Sequence, residues 1–185
     1  MKLSKAERNR YSRILHKNEY YILNIIFSKM VLLKIVKNNI LNSKEKYICQ
    51  QCNCVTKSAK GLAKSIIDKY IWANPYKNRS KNNYDTPGNI IELECSKKYP
   101  IILCFMSQYG PSKPNSVISY YKSIYKDTYE ERKKWFQDCL DILDENHYDT
   151  VAMPYGIGCG LAGGKWEDYE DMIKKCSTKI ILYKL

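Results

Sequence analysis

The stretch Val151–Ile173, VAMPYGIGCGLAGGKWEDYEDMI, holds five of the chain's eight glycines, all between Gly156 and Gly164. Its flanks say what kind of loop this is. Val151-Ala-Met is a short apolar run suited to a buried strand, and Pro154 ends it. Trp166, Tyr169, Met172 and Ile173 recur at helical spacing behind the glycines. The segment therefore reads strand, glycine loop, helix. In that setting bare backbone N–H groups at a helix N-terminus form an anion site, and phosphate is the usual guest.

Two phosphate motifs can be tested. A P-loop needs glycine, four residues, then Gly-Lys-Ser/Thr. Gly164-Lys165 has Cys159 at the required glycine position and is followed by Trp166, so the motif fails twice. Gly158, Gly160 and Gly163 match the dinucleotide fingerprint, but the sequence from there to Leu185 has room for only one helix and one strand. An ordinary dinucleotide site is not expected. A tight turn without ligand stays open, although one or two glycines would serve for that.

The 185 residues, 44% apolar and 27% charged, fit one domain with a real core. Met1–His16 is charged and polar, without the apolar run of a secretory signal. Tyr20–Val36 is interrupted by Asn24, Ser28, Lys29 and Lys34, so a bilayer span is not expected, and the stretch reads as two strands. A soluble, cytoplasmic protein is the expectation. Cys49, Cys52 and Cys54 are spaced C-x-x-C-x-C, and no second CxxC or nearby histidine completes a zinc site. The chain's histidines are His16 and His147. No metal and no cofactor are expected, and buried reduced thiols are the reading for the eight cysteines. Cys159 stands out, because helix N-termini lower thiol pKa. The net charge of +12 favours polyanionic partners, so nucleic acid is a rival ligand, though no recognition motif accompanies the charge.

Along the chain, residues 1–29 read as a basic, partly helical extension and 30–185 as the domain. Strands are expected at Met30–Val36, from Tyr47 to Asn53, at Ile90–Leu93, Ile101–Phe105, Val151–Met153 and Lys179–Tyr183. Helices are expected at Gly61–Ala73, Val117–Lys126, Tyr129–Leu143 and from Trp166. Asn38-Asn39 reads as a turn. Strands and helices alternate, which gives an α/β layer fold with ligands beyond the strand C-terminal ends.

YICQQCNCVTKSAKGLAKSIIDKY (47–70) and VAMPYGIGCGLAGGKW (151–166) resemble the two hallmark segments of macro domains, which bind ADP-ribose. CFMSQYGPS (104–112) resembles a third, and order and spacing fit from about Met30 to Leu185. The nearest flavour is the viral and phage-like group with the yeast-type ADP-ribose-1″-phosphate phosphatases. The resemblance implies a three-layer α/β/α fold with a central mixed sheet. It also implies ADP-ribose or its derivatives, or ADP-ribosylated proteins, as partners. Asn53 would hold and orient the distal ribose, and is the one catalytic candidate. Ser58, Ala59, Lys60 and Gly61 would form the loop beside that ribose. Gly156 to Gly164 would wrap the diphosphate with backbone N–H groups, Ile157 and Leu161 fencing it, so that Tyr155, Gly156, Ile157, Gly158, Cys159, Gly160, Leu161 and Ala162 are the binding residues expected there. Asn39-Ile40 stands where the family commonly has Asp-Ile gripping the adenine amine. Tyr109, Tyr155 and Trp166 are candidate aromatic walls.

Catalysis is less complete in this sequence. Hydrolases with a similar GCGL loop place an aspartate next, where Ala162 stands, and a lysine near Ser107-Gln108. The phosphatase relatives have a histidine where Gln50 and Gln51 stand, and glutamine is no general base near neutral pH. Lys57 and Lys60 could meet phosphate charge, and Asp168 could complement a helix dipole. Three readings follow: a hydrolase of ADP-ribose-1″-phosphate or protein-linked ADP-ribose, a reader without turnover, and a basic nucleic-acid-binding module on the same fold.

Overall fold

The computed structural model describes residues 33–80, 83–116 and 125–185. The expected extension 1–29, the start of the first strand and residues 117–124 of one expected helix lie outside them. Six strands form one sheet: β1 (Lys34–Lys37), β2 (Tyr47–Asn53), β3 (Ile90–Leu93), β4 (Ile101–Gln108), β5 (Thr150–Pro154) and β6 (Lys179–Lys184). Their order is β1-β6-β5-β2-β4-β3. β3 runs antiparallel to β4, while the other pairs are parallel. Among the described residues three helices flank the sheet: α1 (Gly61–Lys69), α2 (Tyr129–Glu145) and α3 (Trp166–Lys175).

The period-two alternation of the strands divides the core in two. Ile48, Ile102, Met106 and Ala152 face one side, where Ala63 and Ile66 of α1 cover them. Cys49, Leu103, Phe105, Val151 and Met153 face the other, under Phe136, Leu140 and Leu143 of α2 and Tyr169 and Ile173 of α3. The expected three-layer α/β/α arrangement with a mixed sheet is the one observed. β4, an interior strand buried at every residue, shows why an unbroken apolar run belongs between two helical layers.

Several boundaries differ from expectation, and three of them have a clear local reading. α1 stops at Lys69 rather than Ala73: Tyr70 still donates to the Ile66 carbonyl (2.7 Å), but Asn74-Pro75 follows and disfavours helical backbone just ahead of it. β4 runs on through Ser107 and Gln108, polar residues that read as loop yet finish a buried strand. Tyr125 and Lys126, expected at a helix end, are not helical, and α2 begins after the Thr128 cap.

Candidate functional site

β2 and β5 lie side by side, Tyr47 opposite Val151 and Ile48 opposite Ala152. From β2 the chain leaves to α1 on one face, and from β5 to α3 on the other. The sheet's connections reverse there, and the C-terminal ends of two diverging strands leave a crevice. It is a cleft of about 600 Å³, bounded by the end of β2, the 56–63 segment, Gln108–Ser112 and the glycine loop.

The glycine loop turns on its own backbone. Ile157 donates to Pro154 O (3.1 Å), Cys159 to Gly156 O (2.9 Å), Gly163 to Gly160 O (3.0 Å) and Gly164 to Gly158 O (2.8 Å). The amides of Gly156, Gly158, Gly160, Leu161 and Ala162 have no hydrogen-bond partner among the described residues. All five residues border the cleft. The glycines serve different needs. Gly158 has φ +76°, and a Cβ there would lie 2.7 Å from both Gln51 Oε1 and the Tyr169 ring. Gly160 has nothing within 4 Å of an added Cβ, so its absent side chain leaves room. Leu161 is exposed at the rim, a spare apolar contact.

Two buried arginines hold the surrounding loops from behind. Arg132, 1% exposed, donates to Ser112 O (2.7 Å), Ala162 O (2.9 Å) and Gly110 O (3.2 Å), and pairs with both Asp127 oxygens at 2.6 Å. Asp127 in turn accepts from Gly110 N (2.8 Å). Arg79 donates to Asn53 O (2.6 Å), Thr56 O (2.7 Å) and Asp85 (2.6 Å) while lying over the Tyr76 ring. With loop carbonyls taken inward, the amides are left for the cleft. The sequence reading missed both residues. A signal was present: from residue 33 onward, arginine occurs only at 79 and 132 in a lysine-rich chain. A planar five-donor fork cannot be replaced by lysine where several acceptors must be met at once.

The expected site residues fall into two groups. Asn53, Ser58, Lys60, Gly61, Tyr155, Gly156, Ile157, Gly158, Gly160, Leu161 and Ala162 meet at the cleft. Asn53 Oδ1 accepts from Val55 N (3.1 Å) and Thr56 N (2.8 Å), an Asx turn that leaves Nδ2 with no partner among the described residues. Asn39, Ile40, Ala59 and Cys159 do not border the cleft. Asn39 Oδ1 instead accepts from Leu41 N (2.9 Å), capping the short 3-10 turn Ile40–Asn42, and Ile40 is buried in the core. Cys159 corrects the expectation of a lowered thiol pKa: burial, with Glu167 nearby, pushes it up to about 11.

Of the aromatic candidates, Tyr155 borders the cleft, with Trp166 packed 4.5 Å behind it. Tyr109 packs in the core, 5.2 Å from Tyr125. Asp168 is engaged elsewhere: Tyr129 Oη donates to it (2.7 Å), holding its pKa down, and accepts from Lys165 N (3.3 Å). Thr56, Tyr76 and Ser112 border the cleft without having been singled out for it, because strand ends and turns scatter them along the chain; Gln51 and Gln108, noted above where related hydrolases have a histidine and a lysine, border it too. Among the described residues at the cleft none is a carboxylate or a histidine. No group of three or more metal-ligating side chains occurs among the described residues, and no helix there is long and apolar enough to cross a membrane.

No family model and no curated protein matches the sequence. Solved structures do match its fold. The macrodomain of Mycobacterium tuberculosis DarG superposes with a TM-score of 0.56 at 19% identity, covering 81% of this chain and 95% of that one. A Trypanosoma brucei macrodomain in complex with ADP-ribose gives 0.56 at 9% identity, over 81% of this chain and 62% of that one. An alphavirus P23pro-zbd gives 0.54 at 14% identity over 81% of this chain; the present chain spans only 21% of its length. At such identities the likeness establishes the fold, and the fold is that of a macrodomain.

Proposed function

We propose that this protein binds ADP-ribose in the cleft, with the diphosphate on the free amides of the 156–162 loop and the distal ribose on Asn53 Nδ2. The observation that carries the reading is the set of partnerless amides at Gly156, Gly158, Gly160, Leu161 and Ala162, gathered at the sheet's switch point. Amide donors fixed in place suit a diphosphate, whose oxygens only accept. A structural neighbour holding ADP-ribose supports it. Calorimetry with ADP-ribose tests it: binding in the wild type, weakened by Gly160→Glu, is the expected result. Equal affinity in the two proteins would remove the site assignment.

Binding without turnover is the form we favour, because no carboxylate and no histidine, the side chains that most often act as general base, stands among the described cleft residues. Hydrolysis of ADP-ribose-1″-phosphate, as in the viral and phage-like group its loop segments resemble, would need the substrate's own phosphate to assist water. A phosphate-release assay separates the two. Eight free cysteines support a reducing, cytoplasmic setting.

A further inference from the structure

One buried polar atom at the cleft is left idle by this arrangement. Gln51 Oε1 is shielded from solvent and has no hydrogen-bond partner, although Gln51 borders the cleft. Buried polar atoms are nearly always paired in native folds. An orphaned acceptor on a residue that borders the cleft therefore points to a donor that arrives with the ligand.

Its being an acceptor follows from the network. The two ends of a carboxamide are told apart only by their partners, and here the far end of the chain is fixed. The Gly110 carbonyl can only accept, and it lies 3.0 Å from Gln108 Nε2 and 3.2 Å from Arg132 Nη2. Gln108 must therefore turn its NH₂ to Gly110 and its Oε1 to Gln51. Gln51 answers with Nε2 at 2.7 Å. Gln51 Oε1 is left beside Gly158, where even a Cβ would come within 2.7 Å. Polarity thus runs one way, from a backbone carbonyl through two side chains to an acceptor beside the glycine loop.

A neutral acceptor among amide donors sorts the parts of a ligand. Phosphate oxygens at neutral pH accept and are repelled, whereas a hydroxyl donates. The adenine amine also donates. Gln51, however, stands two residues before Asn53 on β2 and against the diphosphate loop, which places it with the far sugar. We infer that Gln51 is a specificity residue whose Oε1 accepts a hydrogen bond from a hydroxyl of that sugar, selecting nucleoside diphosphates that end in a sugar over those that end in phosphate. The inference rests on the ADP-ribose reading.

Calorimetry with ADP-ribose and with ADP, which lacks the far sugar, tests it. The wild type is expected to prefer ADP-ribose by at least about tenfold, and Gln51→Met to lose about tenfold for ADP-ribose while ADP binding stays within about twofold. An equal loss for both ligands would mark Gln51 as merely structural, and a wild type without preference would also overturn the inference. Should Gln51→Met be too unstable to assay, Gln51→Asn keeps the carboxamide but withdraws it by one methylene, and the same contrast is expected. A wild type that binds neither ligand would remove the ADP-ribose reading itself, an outcome distinct from the other two.

Discussion

Gly158 and Gly160 are two residues apart, yet a side chain should act on them in opposite ways. At Gly158 the left-handed backbone and the 2.7 Å approach of Gln51 and Tyr169 make Gly158→Ala a folding defect, of about 1–3 kcal/mol, read by thermal or denaturant melting. At Gly160 the space is open, so Gly160→Glu should melt close to the wild type and lose ADP-ribose affinity by repelling the diphosphate. Asn53 allows the same separation within one side chain. Asn53→Asp keeps the Oδ1 that accepts from Val55 and Thr56 but removes the Nδ2 donor. Melting temperature should hold while affinity falls by about tenfold, whereas Asn53→Ala should lower both. If Asn53→Asp binds like the wild type, Nδ2 has no role in holding the sugar.

At the scale of elements, α2 is the frame of the site. Thr128 caps it, accepting from Glu131 N at 3.2 Å, with Glu130 and Glu131 in the first turn where the helix dipole favours negative charge. One turn in, Arg132 reaches back to three loop carbonyls and Asp127. Arg132→Met leaves Asp127 buried without its partner and should cost about 3–5 kcal/mol. Arg132→Lys, which keeps the charge and loses the fork, should fall between, with a larger effect on ligand affinity than its melting suggests. At the other end of α2, Asp144 ties the helix to the start of β6. Burial alone would raise its pKa, but bonds from Cys176 Sγ and from Ser177 and Thr178 outweigh it and hold the carboxyl at about 2. Its folded pKa lies below the ordinary 3.8, so the stabilisation is complete above that value and is lost as pH falls toward about 2. Asp144→Asn should flatten the acid limb of a stability–pH profile in that window; an unchanged profile would show that the shift is absent.

At the scale of the whole molecule, the charge and the site make separate demands. The net charge of +12 belongs mostly to lysines, whereas the proposed diphosphate site is built of neutral amides with Lys60 alone as a cation at the described cleft. ADP-ribose affinity should therefore change little between about 50 and 200 mM salt, while any RNA binding, carried by counterion release, should fall steeply. A steep salt dependence for ADP-ribose would move the ligand from the amides to the lysines. The sequence by itself determined most of the strands and helices among the described residues, since apolar runs and helical spacing depend on neighbours along the chain. It also determined the glycine loop, because crowding glycines in one place has few other uses. What only the tertiary structure decided was the use of side chains whose partners are far away along the chain: Arg132 on Ala162 and Gln51 on Gln108. Hydrogen bonds are short and directional, so a side chain's role follows from which groups the folded chain brings within about 3 Å, a distance that no spacing along the sequence encodes.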